Sequence, residues 1–197
     1  MAKRLFDIIF SFLGLILVLP LFLLLAVLIK RESPGPVFYR GVRIGKGGRL
    51  FRIFKFRSMV KNAEELGGPS TAGGDSRLTK IGKFLKKYQL DELPQLINVL
   101  RGEMSLVGPR PEIKMYVEMM TNEERNVILS IKPGMTDLAS LWNFHESEVL
   151  KGSPDPEKTY QEKIRPQKIK LQLEYVKNRS FLLDLKIIIK TVLKIFQ

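Results

Sequence analysis

Two adjacent carboxylates, Asp91 and Glu92, lie in the stretch LDELPQLINVLRGEMSLVGPRP at residues 90–111. Pro94 follows them, and a rigid Gly108-Pro109-Arg110-Pro111 turn closes the stretch. The chain carries 33 Lys and Arg against 20 Asp and Glu, a formal net charge of +13. A carboxylate pair in such a cationic chain fits chemistry on a polyanionic substrate, with the carboxylates reacting and the basic residues clamping. Adjacent carboxylates can divide roles, one attacking or binding metal, the other handling protons. Proline is pre-organised for the first helical position, so the pair falls beside a helix N-terminus opened by Pro94. The macrodipole there stabilises negative charge and keeps an Asp ionised as a nucleophile. Arg110, on stiff backbone, offers a planar fork that suits phosphate oxygens. The competing readings are a solvated helix turn for the pair and a surface arginine for Arg110.

Composition narrows the chemistry further. There is no cysteine and one histidine, His145. Disulfides, thiol nucleophiles and Cys-type zinc sites are excluded, and a reducing compartment fits. A multi-histidine metal site is impossible within one chain. Catalysis would therefore rest mainly on carboxylates, Lys, Arg, Tyr or a carboxylate-bound metal. The length, 197 residues, suits one compact domain with an appendage. The charge excess asks for an anionic partner: nucleic acid, an anionic membrane surface or phosphorylated substrates.

The appendage is the uncharged run IIFSFLGLILVLPLFLLLAVLI at residues 8–29. As a straight helix it would be roughly 33 Å long, enough to cross a bilayer core of about 30 Å. Pro20, near its middle, removes a backbone donor and clashes with the preceding turn. Lys3 and Arg4 precede the run; Lys30 and Arg31 follow it. Positive charge favours the cytoplasmic side of membrane segments, so flanks positive at both ends fit a re-entrant hairpin broken at Pro20. An ordinary span with a proline kink is the alternative.

Residues 31–36, RESPGP, read as a joint to a soluble part. Val37, Tyr39, Leu50, Ile53, Phe54 and Phe56 suggest short strands, with Gly45-Lys46-Gly47-Gly48 as a hairpin turn. Between Arg40 and Lys61 there are eight basic residues and no acidic one. Such a run is a solvated face or, interleaved with Phe, Ile and Leu, a surface that seeks an anionic membrane. Residues 67–76, GGPSTAGGDS, predict a flexible loop. Helical spacing appears over residues 77–100, 112–130 and 157–178. In FLLDLKIIIKTVLKIFQ at the C-terminus, Lys186, Lys190 and Lys194 share one stripe and apolar residues the others. This fits an amphipathic helix in a membrane interface, or a packed terminal helix.

Several stretches together resemble the small monotopic phosphoglycosyl transferases, the bacterial sugar transferase family. They are the apolar N-terminus with its central proline, Lys55-Phe56-Arg57-Ser58-Met59, Thr79-Lys80-Ile81-Gly82-Lys83-Phe84-Leu85, Asp91-Glu92-Leu93-Pro94-Gln95-Leu96, Asn98-Val99-Leu100, residues 104–111 and residues 180–186. Their shared order covers nearly the whole chain. Two positions depart from the family pattern: Leu19 stands where Ser often precedes the proline, and Lys86 where arginine is typical.

The resemblance implies an α+β, mostly helical fold. Residues 1–35 would be a re-entrant helix-break-helix anchor. Residues 36–197 would form a cytoplasmic catalytic domain with a short β-hairpin and an amphipathic interface helix at 180–197. It implies transfer of a sugar-1-phosphate from a UDP-sugar to polyprenyl phosphate with release of UMP, Mg²⁺ serving as cofactor. Asp91 would attack the sugar-bearing phosphorus, giving a covalent phosphoglycosyl-aspartate, and the polyprenyl phosphate would then attack that intermediate. Glu92 would assist, with Asp91 and Glu92 as the metal-binding pair. Lys55, Arg57, Arg77, Lys86 and Arg110 are the expected substrate-binding residues. The implied setting is the cytoplasmic face of a bacterial inner membrane, with anionic lipid, glycosyltransferases of the same pathway and a second copy of the chain as further partners. Sugar specificity is expected within residues 136–156, which include Trp142 and His145. The alternatives are a membrane-anchored scaffold and a nucleic-acid-binding protein; no nucleic-acid motif is recognisable, and none is expected as partner.

Overall fold

The computed structural model describes every residue except Met1, Glu64, Ser70, Thr71, Gly73, His145, Phe196 and Gln197. The chain is mostly helical, with three two-stranded sheets among the described residues. The first helix, α1 (Ala2–Glu32), runs through Pro20 as one helix, so the helix-break-helix expected over residues 1–35 is not seen. Proline has no N–H to give the carbonyl of Ile16, so one rung of the helical ladder is missing there. The buried positions of α1 are Asp7, Ser11, Phe22, Leu25 and Ile29. They fall on one stripe at helical spacing; most of the other faces are exposed and apolar.

Next come β1 (Phe38–Tyr39), β2 (Val42–Ile44), β3 (Leu50–Arg52) and β4 (Lys55–Phe56). Strands β2 and β3 form the expected antiparallel hairpin, closed by a 3-10 turn at Lys46–Gly48, while β1 pairs with β4. Phe56 joins Phe22, Leu25, Ile29 and Leu85 in one core cluster. Full burial of each such side chain contributes about 1.5–3 kcal/mol, so this cluster is what fastens the C-terminal half of α1 to the domain.

Helix α2 (Lys80–Lys87) is capped twice. Thr79 Oγ1 accepts from Gly82 N at 2.9 Å, and the Glu32 carboxylate at the end of α1 accepts from Lys80 N and Ile81 N at 2.6 and 2.9 Å. A side chain at Gly82 would place its Cβ 1.8 Å from the Ser58 carbonyl, so only glycine lets α2 sit this close. A 3-10 turn (Leu90–Glu92) leads into α3 (Gln95–Arg101), with Pro94 at its start as expected. Strand β5 (Ser105–Val107) pairs in parallel with β6 (Gly134–Thr136).

Residues 112–130, expected as one helix, form two: α4 (Lys114–Glu118) and α5 (Asn122–Ile128). Thr121 starts the second with a capping box: its hydroxyl accepts from Glu124 N while Glu124 accepts from Thr121 N. Helices α6 (Leu138–Trp142), α7 (Glu146–Val149) and α8 (Pro156–Thr159) follow. A π turn at Tyr160–Ile164 joins α8 to α9 (Arg165–Asn178), so the long helix expected over 157–178 carries a bulge. The last helix, α10 (Phe181–Ile195), buries Asp184 and Ile187.

Candidate active site

Asp91 and Glu92 sit in the short 3-10 turn between α2 and α3. Gln89 enters that turn at φ 53°, in the left-handed region, and its amide donates to the Phe144 carbonyl at 2.7 Å. The dyad turn is thereby tied to the segment after α6. Asp91 is only 2% exposed. Lys86, at the end of α2, brings its ammonium 2.9 Å from the buried Asp91 Oδ2, which has no other partner among the described residues.

Glu92 is held differently. Its Oε1 accepts from Lys55 Nζ at 2.9 Å and from Arg110 Nη2. Burial alone would raise its pKa, but Arg110 and Lys55 together hold it well below the usual carboxylate range. Lys55 is pulled the other way: burial lowers it to about 8, against the opposing pull of Glu92. Burial likewise disfavours the Lys86 cation, but Asp91 and Glu92 outweigh it and raise its pKa. Arg110 is raised by Glu92 and stays charged. One carboxylate of the dyad is thus locked between two cations, and the other is paired with one, Lys86.

Arg110 is placed by backbone. Gly134 and Gly108 approach so closely that a Cβ on Gly134 would lie 2.0 Å from Gly108 N. Arg110 N donates to Asp137 Oδ2 at 3.3 Å, and Asp137 Oδ1 accepts from Ser140 N at 2.7 Å, capping α6. Asp137 is fully buried. One carboxylate therefore sets both the Pro-Arg-Pro turn and the helix beside it.

These groups line a cleft of about 740 Å³. Arg43, Lys83, Lys87 and Lys168 also reach it, beside Lys55, Lys86 and Arg110. So do Tyr116, Tyr160, Gln95, Ser140 and Asn143. A cleft with clustered cations and a carboxylate held by a single lysine can hold phosphate oxygens while the carboxylate approaches phosphorus.

The family model described as "Bacterial sugar transferase" matches residues 1–197. The chain belongs to the bacterial sugar transferase family. It is similar to the UDP-N-acetylgalactosamine-undecaprenyl-phosphate N-acetylgalactosaminephosphotransferase of Aeromonas hydrophila, 40% identical over 96% of this chain and 42% of that protein. The UDP-glucose:undecaprenyl-phosphate glucose-1-phosphate transferase of Klebsiella pneumoniae is 41% identical over 98% of this chain and 40% of its own length. The protein of the same name from Caulobacter vibrioides is 38% identical over 98% of this chain and 68% of its own length. The chain thus spans about two fifths of the first two of these relatives.

Of the site residues expected from sequence, Asp91, Glu92, Lys55, Lys86 and Arg110 come together in the family member's cleft. Arg57 and Arg77 are placed elsewhere. The Arg57 guanidinium donates to the carbonyls of Ile29, Ser33 and Pro34, closing the end of α1. Arg77 grips Asp75 and donates to the carbonyls of Ala63 and Gly68. It fastens the segment whose Pro69, Ala72 and Gly74 line the cleft. Within the loop expected at 67–76, Ser70, Thr71 and Gly73 lie outside the described residues, as does His145. Trp142 is 48% exposed and does not line the cleft. Sequence reasoning missed Gln89; Asp137, Ser140 and Asn143 fall within the 136–156 stretch expected to carry sugar specificity, though none of them was singled out there. Asp137 before LASLW was readable as a helix cap; the others carry no comparable signal.

Proposed function

We propose that this chain transfers a sugar-1-phosphate from a UDP-sugar to undecaprenyl phosphate, releasing UMP, through a covalent aspartyl intermediate. The observation that carries this reading is the buried Asp91 carboxylate, held by Lys86, in a cleft that Lys55 and Arg110 also line. The names of its relatives supply the substrate classes. In the first half-reaction an Asp91 oxygen bonds to the sugar-bearing phosphorus, and the bond to the bridging oxygen breaks. That oxygen leaves with its electron pair as part of UMP. In the second, a phosphate oxygen of undecaprenyl phosphate attacks the same phosphorus and the aspartate leaves as carboxylate, completing a ping-pong cycle. Lys55, Lys86 and Arg110 offset the repulsion between carboxylate and diphosphate. Glu92, kept ionised, aims Lys55 and Arg110 rather than carrying a proton in the resting state.

Mg²⁺ belongs to the same proposal. No group of three or more acidic or histidine side chains is arranged for a metal among the described residues. Asp91 and Glu92 would hold the ion on the protein side, with phosphate oxygens and water completing its shell. Mg²⁺ commonly uses one or two carboxylates in this way; because Lys86 holds Asp91 and Lys55 and Arg110 hold Glu92, an arriving ion would take the place of those cations at the carboxylates. When bound, it would neutralise phosphate charge.

The reaction would run at the cytoplasmic face of a bacterial inner membrane, as the first membrane step of glycoconjugate synthesis, with α1 bending in the bilayer at Pro20, where its ladder lacks a rung, to re-enter the side it left. Both ends of α1 are bonded to one domain, which supports this. Arg4 donates to the carbonyls of Val99 and Leu100, and Asp7 accepts from Ser105 Oγ and Leu106 N. At the other end Glu32 caps α2 and Arg57 closes the last turn. A spanning helix would carry one end about 30 Å away, beyond the hydrocarbon core.

The test is direct. Purified protein incubated with a panel of UDP-sugars, without acceptor, should gain the mass of one phosphosugar on the Asp91 peptide. UMP release with undecaprenyl phosphate should fall by at least about 10³-fold in Asp91→Asn. No UMP from any donor, or full turnover by Asp91→Asn, would overturn the proposal.

A further inference from the structure

We infer that the cleft wall formed by Ser140 and Asn143 reads the sugar of the donor, an inference that rests on the phosphosugar transfer proposed above. Three residues that line the cleft each carry a buried side-chain atom without a hydrogen-bond partner among the described residues: Gln95 Nε2, Ser140 Oγ and Asn143 Nδ2. Burying a polar group without a partner is costly, and a cleft that does so repeatedly is shaped for partners that arrive with a ligand. Gln95 is 1% exposed and opens α3 three residues beyond Glu92.

Ser140 and Asn143 are a different kind of surface. They stand three residues apart, on α6 and at its C-cap, so they share a face. No charged residue lies between Leu138 and Phe144. The cations of the cleft are suited to phosphate, whereas this wall offers a hydroxyl and an amide, suited to neutral hydroxyl or acetamido groups. Its place relative to the dyad decides which neutral part of the donor it meets. Phe144, adjacent to Asn143, is bonded to Gln89, two residues before Asp91. In a UDP-sugar the sugar is joined through one oxygen to the phosphorus under attack. The nucleobase is separated from that phosphorus by a second phosphate and a ribose. The neutral groups beside the dyad therefore face the sugar. Asp137 makes this wall rigid, since it caps α6 and holds the Arg110 backbone with its two oxygens. A site built to bond a substrate hydroxyl discriminates against sugars that lack or misplace it.

Binding without turnover isolates the effect. In the Asp91→Asn protein, titrate UDP-glucose, UDP-N-acetylgalactosamine and UMP, then repeat with Ser140→Ala or Asn143→Ala added. Each addition is expected to weaken the preferred UDP-sugar by about five- to tenfold, to change the ratio between the two sugars, and to leave UMP within about twofold. Ser140→Ala removes a single oxygen and keeps the backbone N–H that Asp137 caps, so it remains informative should Asn143→Ala fold poorly. Unchanged sugar affinities overturn the inference, and so does an equal loss for UMP, which would assign the wall to the nucleotide. Failure of the underlying transfer reading looks different: the Asp91→Asn protein itself would bind no UDP-sugar.

Discussion

At Lys55, burial and a neighbouring anion pull in opposite directions. Burial dominates and brings the ammonium down to about 8, while Glu92 resists. Below that pH the cation is present to meet phosphate; as pH rises through it, the charge is lost and donor capture should fall. The pH profile of kcat/KM, which reports the free enzyme, should therefore decline above about pH 8. Lys55→Arg, which cannot deprotonate in this range, should lack that limb. Glu92→Gln removes the anion that sustains the cation, so the limb should move to lower pH. A limb unmoved by both changes would detach it from Lys55. At this scale the charged residues were legible because charge is visible in a sequence: Asp91, Glu92, Lys55, Lys86 and Arg110 meet in the cleft. Ser140 and Asn143 were legible only as members of the 136–156 stretch, not singly, because a neutral side chain acquires its meaning from burial without a partner, which only the fold creates. Arg57 and Arg77 show the converse, since their charge was visible but their partners, backbone carbonyls of other segments, were not.

Among the elements, the joint between α1 and α2 fixes where the cleft can be. Glu32 caps α2, Arg57 closes α1, and Phe22, Leu25, Ile29, Phe56 and Leu85 pack between them. Arg57 is 8% exposed, and its guanidinium reaches three carbonyls and the Ser33 hydroxyl. Hydrogen bonds from a charged donor are worth about 1.5–3 kcal/mol, so Arg57→Ala should cost about 3 kcal/mol of stability, read as a lower thermal midpoint in detergent. Arg57→Lys should recover only part, because an ammonium lacks the fork. A capping role leaves the KM for UDP-sugar unchanged in the folded fraction; a large rise in KM would return Arg57 to substrate binding. The hairpin, α3 and α10 were legible from turn glycines, Pro94 and helical periodicity. The division of residues 112–130 was hidden because Thr121 lies within an otherwise helical pattern, and only its capping box separates the halves. The parallel pairing of β5 with β6 joins three-residue strands 29 positions apart, too short and too distant for alternation to announce.

For the whole molecule, the decisive feature is an apolar surface shared by two helices. Leu17, Leu19, Leu23 and Leu24 of α1 are more than half exposed, and so are Leu182, Ile189 and Leu193 of α10. Phe6 and Phe181 meet edge to face, 5.1 Å between ring centres, and Lys3 pairs with Asp184, so the helices are joined at their N-terminal ends. An exposed apolar area of this kind asks for lipid or a partner, and Lys186 and Lys190, exposed beside it on α10, suit an anionic headgroup layer. With the ends of α1 bonded to the domain and Pro20 interrupting the ladder of its middle, a re-entrant path buries that area in one leaflet while keeping Arg4, Asp7, Glu32 and Arg57 at their partners. A spanning path would have to break the bonds of Arg4 and Asp7, abandoning two charged groups that now have partners. The chain contains no cysteine, so single-cysteine variants at Ala2 and Arg31, both exposed, report topology cleanly. In intact cells neither should react with a membrane-impermeant maleimide, and both should react after the inner membrane is opened. Pro20→Ala restores the missing N–H and favours a straight helix, so it should shift part of the Ala2→Cys population toward external labelling. External labelling at Ala2 in the parent, with Arg31 protected, would instead mean that α1 spans the bilayer and that its N-terminal contacts with the domain are not kept in the membrane.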